Sequence, residues 1–159
     1  MKIWTTINKT FATAFGLGLS PVAPGTMGAL GGVALGYLIL HFCPYPNYLL
    51  SLIIVLVTIL GAISANFLEK EWGEDPSKIV IDEVVGIWIA LLFLPPMWEC
   101  YVAAFVLFRF FDIVKPLYIK RMELLKNGWG VMMDDVLAGI YANIILQILI
   151  LIFKKYLLL

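Results

Sequence analysis

The sequence predicts an all-α fold, a polytopic membrane bundle of four to five transmembrane helices with an N-terminal interfacial segment. Three observations predict it. Hydrophobic residues make up 62% of the chain and charged ones only 14%, whereas a soluble domain carries about a quarter charged residues. The apolar residues are gathered in long runs, and about 20 helical residues cross the ~30 Å of a bilayer core. Alternation with period two is absent and the runs exceed barrel-strand length, so helices are the element that satisfies every backbone group in lipid.

Residues 1–15 are mildly amphipathic and are expected at the membrane surface. Lys9 interrupts any apolar core there and no small-residue cleavage site follows, so no removable signal peptide is expected. Residues 27–42 form a Gly-rich run, in which Gly28, Gly32 and Gly36 make a smooth stripe suited to close helix packing or to pairing of two copies. Residues 48–67 form an uninterrupted span. The run 79–98 also has spanning length, but opens on Asp82 and Glu83 and ends on Pro95 and Pro96. Residues 101–116 contain Arg109 and Asp112, and 136–153 follow Asp134 and Asp135. Asn66 and Asn143 are polar points inside spans, expected to hydrogen-bond between helices. The tryptophans are expected mainly as interface anchors and packing. The whole of 1–159 is expected to be one membrane-embedded domain.

Orientation follows from Lys and Arg. With the N-terminus in the cytoplasm and five crossings, that side collects Lys2, Lys9, Lys70, Lys78, Arg109, Lys115, Lys120, Arg121 and Lys126, leaving only Lys154 and Lys155 opposite. The same topology brings the loop 16–26 and every intramembrane carboxylate to the cytoplasmic boundary. His41 falls on the other side, which excludes a phosphohistidine mechanism. Formal net charge is zero and no basic patch suits nucleic acid. Cys43 and Cys100 lack metal-ligand spacing and form no disulfide framework.

Asp82, Glu83, Asp112, Asp134 and Asp135 stand in near-continuous apolar sequence, where an ionisable group is costly and reads as functional by default. Capping of helix N-termini accounts for one such residue more readily than for two pairs and a fifth. A hard divalent cation accounts for the surplus, because Mg²⁺ is held by carboxylates together with phosphate oxygens and water. Arg109, Asp112 and Lys115 recur every three residues, so they are expected along one helix stripe before Pro116 ends the helix. They read either as an internal ion pair with a snorkelling lysine or as a carboxylate ligand flanked by cationic phosphate contacts. The loop around Ser20, Gly25 and Thr26 precedes a helix, and its free backbone N–H groups form an anion seat.

Taken in order, GLGLSPVAPGTMG, IDEVVGIW, FRFFDIVKP and MMDDVLAGIYAN resemble the bacterial phosphatidylglycerophosphatase A family over nearly the whole chain. The resemblance implies a Mg²⁺-dependent phosphatase of the cytoplasmic (inner) membrane, its active site facing the cytoplasm, which converts phosphatidylglycerophosphate to phosphatidylglycerol and phosphate. It implies catalytic roles for Asp82, Glu83, Asp112, Lys115, Asp134 and Asp135, with Mg²⁺ on some subset of the five carboxylates. Arg109, Thr26, Gly25 and Ser20 are then expected to bind the substrate phosphate. Three rivals compete with this reading. An ion-coupled transporter would spread its acids through the membrane depth. Another Mg²⁺-dependent phospholipid-synthesis enzyme, of the CDP-alcohol transferase type, would carry a different acidic run. A non-catalytic packing subunit would leave the acidic pairs unexplained.

Overall fold

The structure, a computed structural model, describes residues 2–73 and 77–157, with side chains as far as Phe153. Among the described residues the regular structure is all helical, without a strand: α1 Lys2–Ala12, a 3-10 turn Leu17–Leu19, α2 Pro24–Phe42, α3 Pro46–Trp72, α4 Ile81–Leu91, α5 Trp98–Val114, α6 Ile119–Met122 and α7 Trp129–Leu157. Proline at the first position starts α2 and α3, where its missing N–H costs nothing and its fixed φ suits the helix. Three of these helices, α2, α3 and the α7 segment Trp129–Phe153, are long and apolar enough to cross a membrane. Their outward faces carry exposed Leu, Ile, Val and Phe, as expected of surfaces that meet lipid rather than water.

The predicted span 79–98 is corrected. Only its first part is helical: α4 has 11 residues, about 16 Å at the helical rise. Beyond Leu91 the backbone leaves the helix, with Phe93 at φ 59, and Pro95-Pro96 prevents its resumption. Irregular backbone at membrane depth is tolerated only inside protein, and the structure supplies that setting. Ten of the eleven α4 residues are buried. Asn143 on α7 donates to the carbonyls of Ala90 and Leu92 at 3.1 and 2.8 Å. The Phe93 N–H donates to Asn47 Oδ1 at the start of α3, 2.9 Å away. Asn143 thus makes the predicted interhelical bonds, whereas Asn66 is exposed and makes none among the described residues.

Helix α4 is the axis around which α2, α3, α5 and α7 pack, α7 most heavily. The glycine stripe of α2 lies against it. A Cβ on Gly28 would meet Val80 at 2.7 Å, one on Gly32 would meet Ile87 at 2.5 Å, and one on Gly36 would meet Leu91 at 3.1 Å. Of the two expectations for this stripe, close helix packing is the one seen within the chain, where α4 covers it. Trp88 is also core rather than interface anchor, with Nε1 donating to the Gly32 carbonyl at 2.8 Å. The amphipathic N-terminal segment forms α1, which lies along α3. Ser64 Oγ donates to the buried Asn8 Oδ1 at 2.9 Å, while Ile3, Trp4 and Ile7 remain exposed. The Val80 N–H donates to the Ala12 carbonyl at 2.9 Å, tying the end of α1 to the entrance of α4. The tail pair Lys154 and Lys155 lies outside the described side chains.

Candidate active site

Both acidic pairs are polar residues on buried helix faces, and local geometry treats them differently. Asp82 and Glu83 occupy the first turn of α4, where free N–H groups and the helix dipole favour negative charge. There the Glu83 N–H donates to Asp82 Oδ1 at 3.1 Å. Asp134 and Asp135 were expected to open their helix as well, but α7 begins at Trp129 and its first turn is free of acids. These two side chains stand beyond the orphan amides and need other support.

Asp134 obtains it from Lys115. The regular stripe of Arg109, Asp112 and Lys115 is broken, because Lys115 adopts a left-handed conformation (φ 46) as α5 ends. The turn sends its ammonium to Asp134 Oδ2 on α7 and to Glu123 Oε1, each at 2.6 Å. Burial disfavours this ammonium, yet the hydrogen bonds and charges of Asp134 and Glu123 outweigh burial and hold its pKa above the ordinary lysine value. Arg109 keeps the expected pairing with Asp112 three residues on. Its Nη1 also stands 3.9 Å from Glu83 Oε1.

Asp135 turns elsewhere. With Asp82 and Glu83 it offers one carboxylate oxygen each, all within 4.8 Å of one another, the spacing of ligands around a single metal ion. Asp82 and Asp135 are buried and Glu83 nearly so. Three buried carboxylates this close, with one cation 3.9 Å from a single member, repel one another unless a further positive charge joins them. Glu83 Oε2, Arg109 Nε and Asp134 Oδ1 are buried without hydrogen-bond partners among the described residues. Buried polar atoms without partners call for an explanation, and a bound ion, water or substrate oxygen supplies one. The donor set fits a hard, oxygen-seeking divalent cation. Of the five expected metal ligands, the structure therefore brings Asp82, Glu83 and Asp135 together. Asp112 and Asp134 are engaged by Arg109 and Lys115 at the edge of that cluster.

The substrate-side expectations divide in the same way. Gly25 lies at the site: a Cβ there would meet Glu83 Oε1 and stand 3.2 Å from Arg109 Nη1, so the start of α2 reaches the ends of both side chains. Thr26 is half-buried in the same first turn and makes no side-chain hydrogen bond among the described residues. Ser20 is not brought in. Its hydroxyl is spent locally, donating to the Val22 carbonyl at 2.9 Å. His41 sits at the other end of α2, stacked on Tyr37 with ring centroids 4.0 Å apart.

With four ordered motifs folded into one site, comparison with known proteins decides the family. The phosphatidylglycerophosphatase A family model matches residues 10–150. The chain belongs to the phosphatidylglycerophosphatase A family. A phosphatidylglycerophosphatase A of Haemophilus influenzae is 43% identical over 84% of this chain and 83% of its own length. That of Escherichia coli is 39% identical over 81% and 75%. A Bacteroides thetaiotaomicron relative, named a putative phosphatidylinositol-3-phosphatase, is 50% identical over 86% and 89%. No solved structure matches the chain.

Sequence reasoning missed three residues that shape this cluster. Glu123, the second anchor of Lys115, lies in an ordinary charged segment that nothing sets apart. Gly86 and Gly139 did leave a signal. Each follows an acid by four residues, Asp82 and Asp135 respectively, and so lies on the same helix face one turn further on. A Cβ on Gly86 would lie 2.9 Å from the Asp135 carbonyl oxygen and strike the Phe108 ring, and one on Gly139 would strike the Gly86 carbonyl. Their bareness lets α4 and α7 come near enough for Asp82 and Asp135 to share a site.

Proposed function

We propose that the protein is a Mg²⁺-dependent lipid phosphatase that hydrolyses phosphatidylglycerophosphate to phosphatidylglycerol and phosphate at the cytoplasmic face of the bacterial inner membrane. The single observation that carries this reading is the convergence of Asp82, Glu83 and Asp135 from two helices onto one cation-sized space, with Lys115 and Arg109 beside it. Family membership supports the substrate, and the bias of Lys and Arg in the connections supports the orientation. Asp82, Glu83 and Asp135 would hold the divalent cation, which supplies polarisation of the phosphoryl oxygens when bound.

The chain's own groups account for the rest. Arg109 and Lys115 neutralise charge that grows on the equatorial oxygens of the phosphoryl group. The start of α2 at Gly25 and Thr26 presents unpaired N–H groups to the same phosphate. Asp134 Oδ2 is committed to Lys115, while Oδ1 lacks a partner, so Oδ1 accepts the proton of the attacking water. The water oxygen bonds to phosphorus, the bond from phosphorus to the glycerol oxygen breaks, that oxygen takes a proton from solvent water, and Asp134 then returns its own proton to solvent. Because the phosphate is terminal, the acyl chains stay among the helices throughout.

A transporter would need acids at several depths, whereas these gather at one end of the bundle. The test is phosphate release from phosphatidylglycerophosphate by purified protein, with Mg²⁺ and after chelation, with phosphatidic acid as competitor. Turnover that appears with Mg²⁺ and vanishes with the chelator is expected. Equal turnover in both conditions overturns the metal, and no release from any phosphomonoester lipid overturns the activity.

A further inference from the structure

A second feature lies beside the reacting centre. Between the end of α3 and the turn leading into α7, the structure holds a cleft of about 500 Å³, lined by Glu69, Glu123, Lys126, Asn127, Gly128 and Asp134 among others. That volume is in the range of small-molecule sites, and its polar lining is three carboxylates, one amide and one ammonium, set beside Ala65, Leu124, Leu125 and Val131.

The cleft is built rather than incidental. Asn127 and Gly128 take successive left-handed conformations (φ 61 and 75). A Cβ on Gly128 would strike the Ala62 carbonyl and stand 2.6 Å from the Asn66 nitrogen, so the turn is pressed onto α3. A Cβ on Gly130 would lie 2.6 Å from the Glu123 carbonyl oxygen and 2.7 Å from that of Leu125. Two lining residues, Glu123 and Asp134, are also the two that hold the Lys115 ammonium. The side chain of Asp134 is 8% exposed and keeps one oxygen unpartnered. Its neighbour Asp135 joins the Asp82–Glu83 cluster. The cleft and the carboxylate cluster therefore share a wall, and Lys115 stands in it.

We propose that this cleft seats the polyol of the lipid headgroup, the hydroxyl-bearing unit between the terminal phosphate and the phosphodiester. It would thereby select polyol phosphates over a bare lipid phosphate. The inference rests on the phosphatase reading given above. Hydroxyl groups donate to carboxylates and to an amide oxygen, and the lining offers Glu69, Glu123 and Asn127 in those roles. A site built to hydrogen-bond hydroxyls rejects a substrate that lacks them, because its polar groups are left unpaired. Phosphatidic acid lacks them, and phosphatidylglycerophosphate carries one on the glycerol between its two phosphates. Glu69 and Asn127 belong to selection alone, since neither touches Lys115 or the carboxylate cluster.

The test uses full-length protein in mixed micelles and the double variant Glu69→Gln with Asn127→Gly; glycine keeps the left-handed turn while removing the amide. Initial rates are taken on phosphatidylglycerophosphate and on phosphatidic acid. A rise of about tenfold in KM for phosphatidylglycerophosphate is expected, the loss of roughly one hydrogen bond. Its kcat stays near the parent value, and kcat/KM for phosphatidic acid changes less than twofold. Inhibition by the product phosphatidylglycerol weakens in parallel, a binding readout that requires no turnover of the product. Equal falls on both lipids, a change confined to kcat, or unchanged KM and product inhibition each overturn the subsite. A parent protein inert on both lipids overturns the phosphatase reading itself, and the subsite falls with it.

Discussion

The two acidic pairs look alike in the sequence and are sustained by different physics. Asp82 and Glu83 open α4, where unpaired amides and the helix dipole supply the compensating positive charge. Asp134 and Asp135 lie inside α7, where every amide is committed to the helix. Neighbours on a helix point about 100° apart, so the second pair is split. Asp134 goes to Lys115, while Asp135 crosses to Asp82 and Glu83. The first pair stays together at a helix start, whereas in the second only Asp134 is held by a side chain, that of Lys115 at the end of α5. A carboxylate's role in this protein is set by what stabilises it, not by which motif it sits in.

The largest effect that tests this comparison is on the shared cluster. Asp135→Asn and Asp82→Asn should each lower phosphate release on the order of 10³-fold, the scale for removing a preorganised electrostatic element. Melting temperature in detergent should hold or rise, because each change relieves repulsion among buried carboxylates. Activity within tenfold of the parent for both variants would remove them from the site. Lys115→Ala comes next. It leaves Asp134 buried and uncompensated, and should cost roughly 1–3 kcal/mol of stability along with most turnover. Adding Asp134→Asn should restore the melting temperature without restoring turnover. If the double variant stays as unstable as the single one, the support of this pair has been misassigned.

Smaller effects probe how the pairs are brought together. Gly86→Ala forces α4 away from Phe108 and α7, with an overpacking cost of about 1–3 kcal/mol. Turnover should fall further than stability explains, since Asp82 and Asp135 separate. A variant with parent-like kcat would show that this close approach does not position the cluster. The mildest change is Arg109→Lys, which keeps the charge and loses the planar fork that serves Asp112 and approaches Glu83. A fall of about tenfold or less in kcat/KM is expected, whereas a loss as large as that of Asp135→Asn would promote Arg109 into the cluster.

Much of this was readable from residue order. Apolar runs foretold helices at 27–42, 48–67 and 136–153, because burying that much hydrocarbon length leaves few alternatives. The cost of a carboxylate in such surroundings marked all five acids as one problem. The run at 79–98 misled by its hydropathy. A helix enclosed by protein and a helix crossing lipid are equally apolar, and only Asn143 and Asn47, both distant in sequence, make the break after Leu91 tolerable. Lys115 misled by its spacing, since periodicity assumes that the helix continues, and the left-handed residue before Pro116 ends it. The glycines four residues after Asp82 and Asp135 could have been read as a matched pair of close approaches. Glu123 could not.

The sequence by itself determined the element type, the membrane setting, the family and the five carboxylates that need an explanation. These depend on composition and local spacing, which are properties of the chain taken in order. Tertiary structure alone decided which carboxylates meet, which are neutralised by Lys115 and Arg109, and which glycines permit the meeting. Those outcomes depend on distances between helices, and such distances are set by packing against partners that lie far away along the chain.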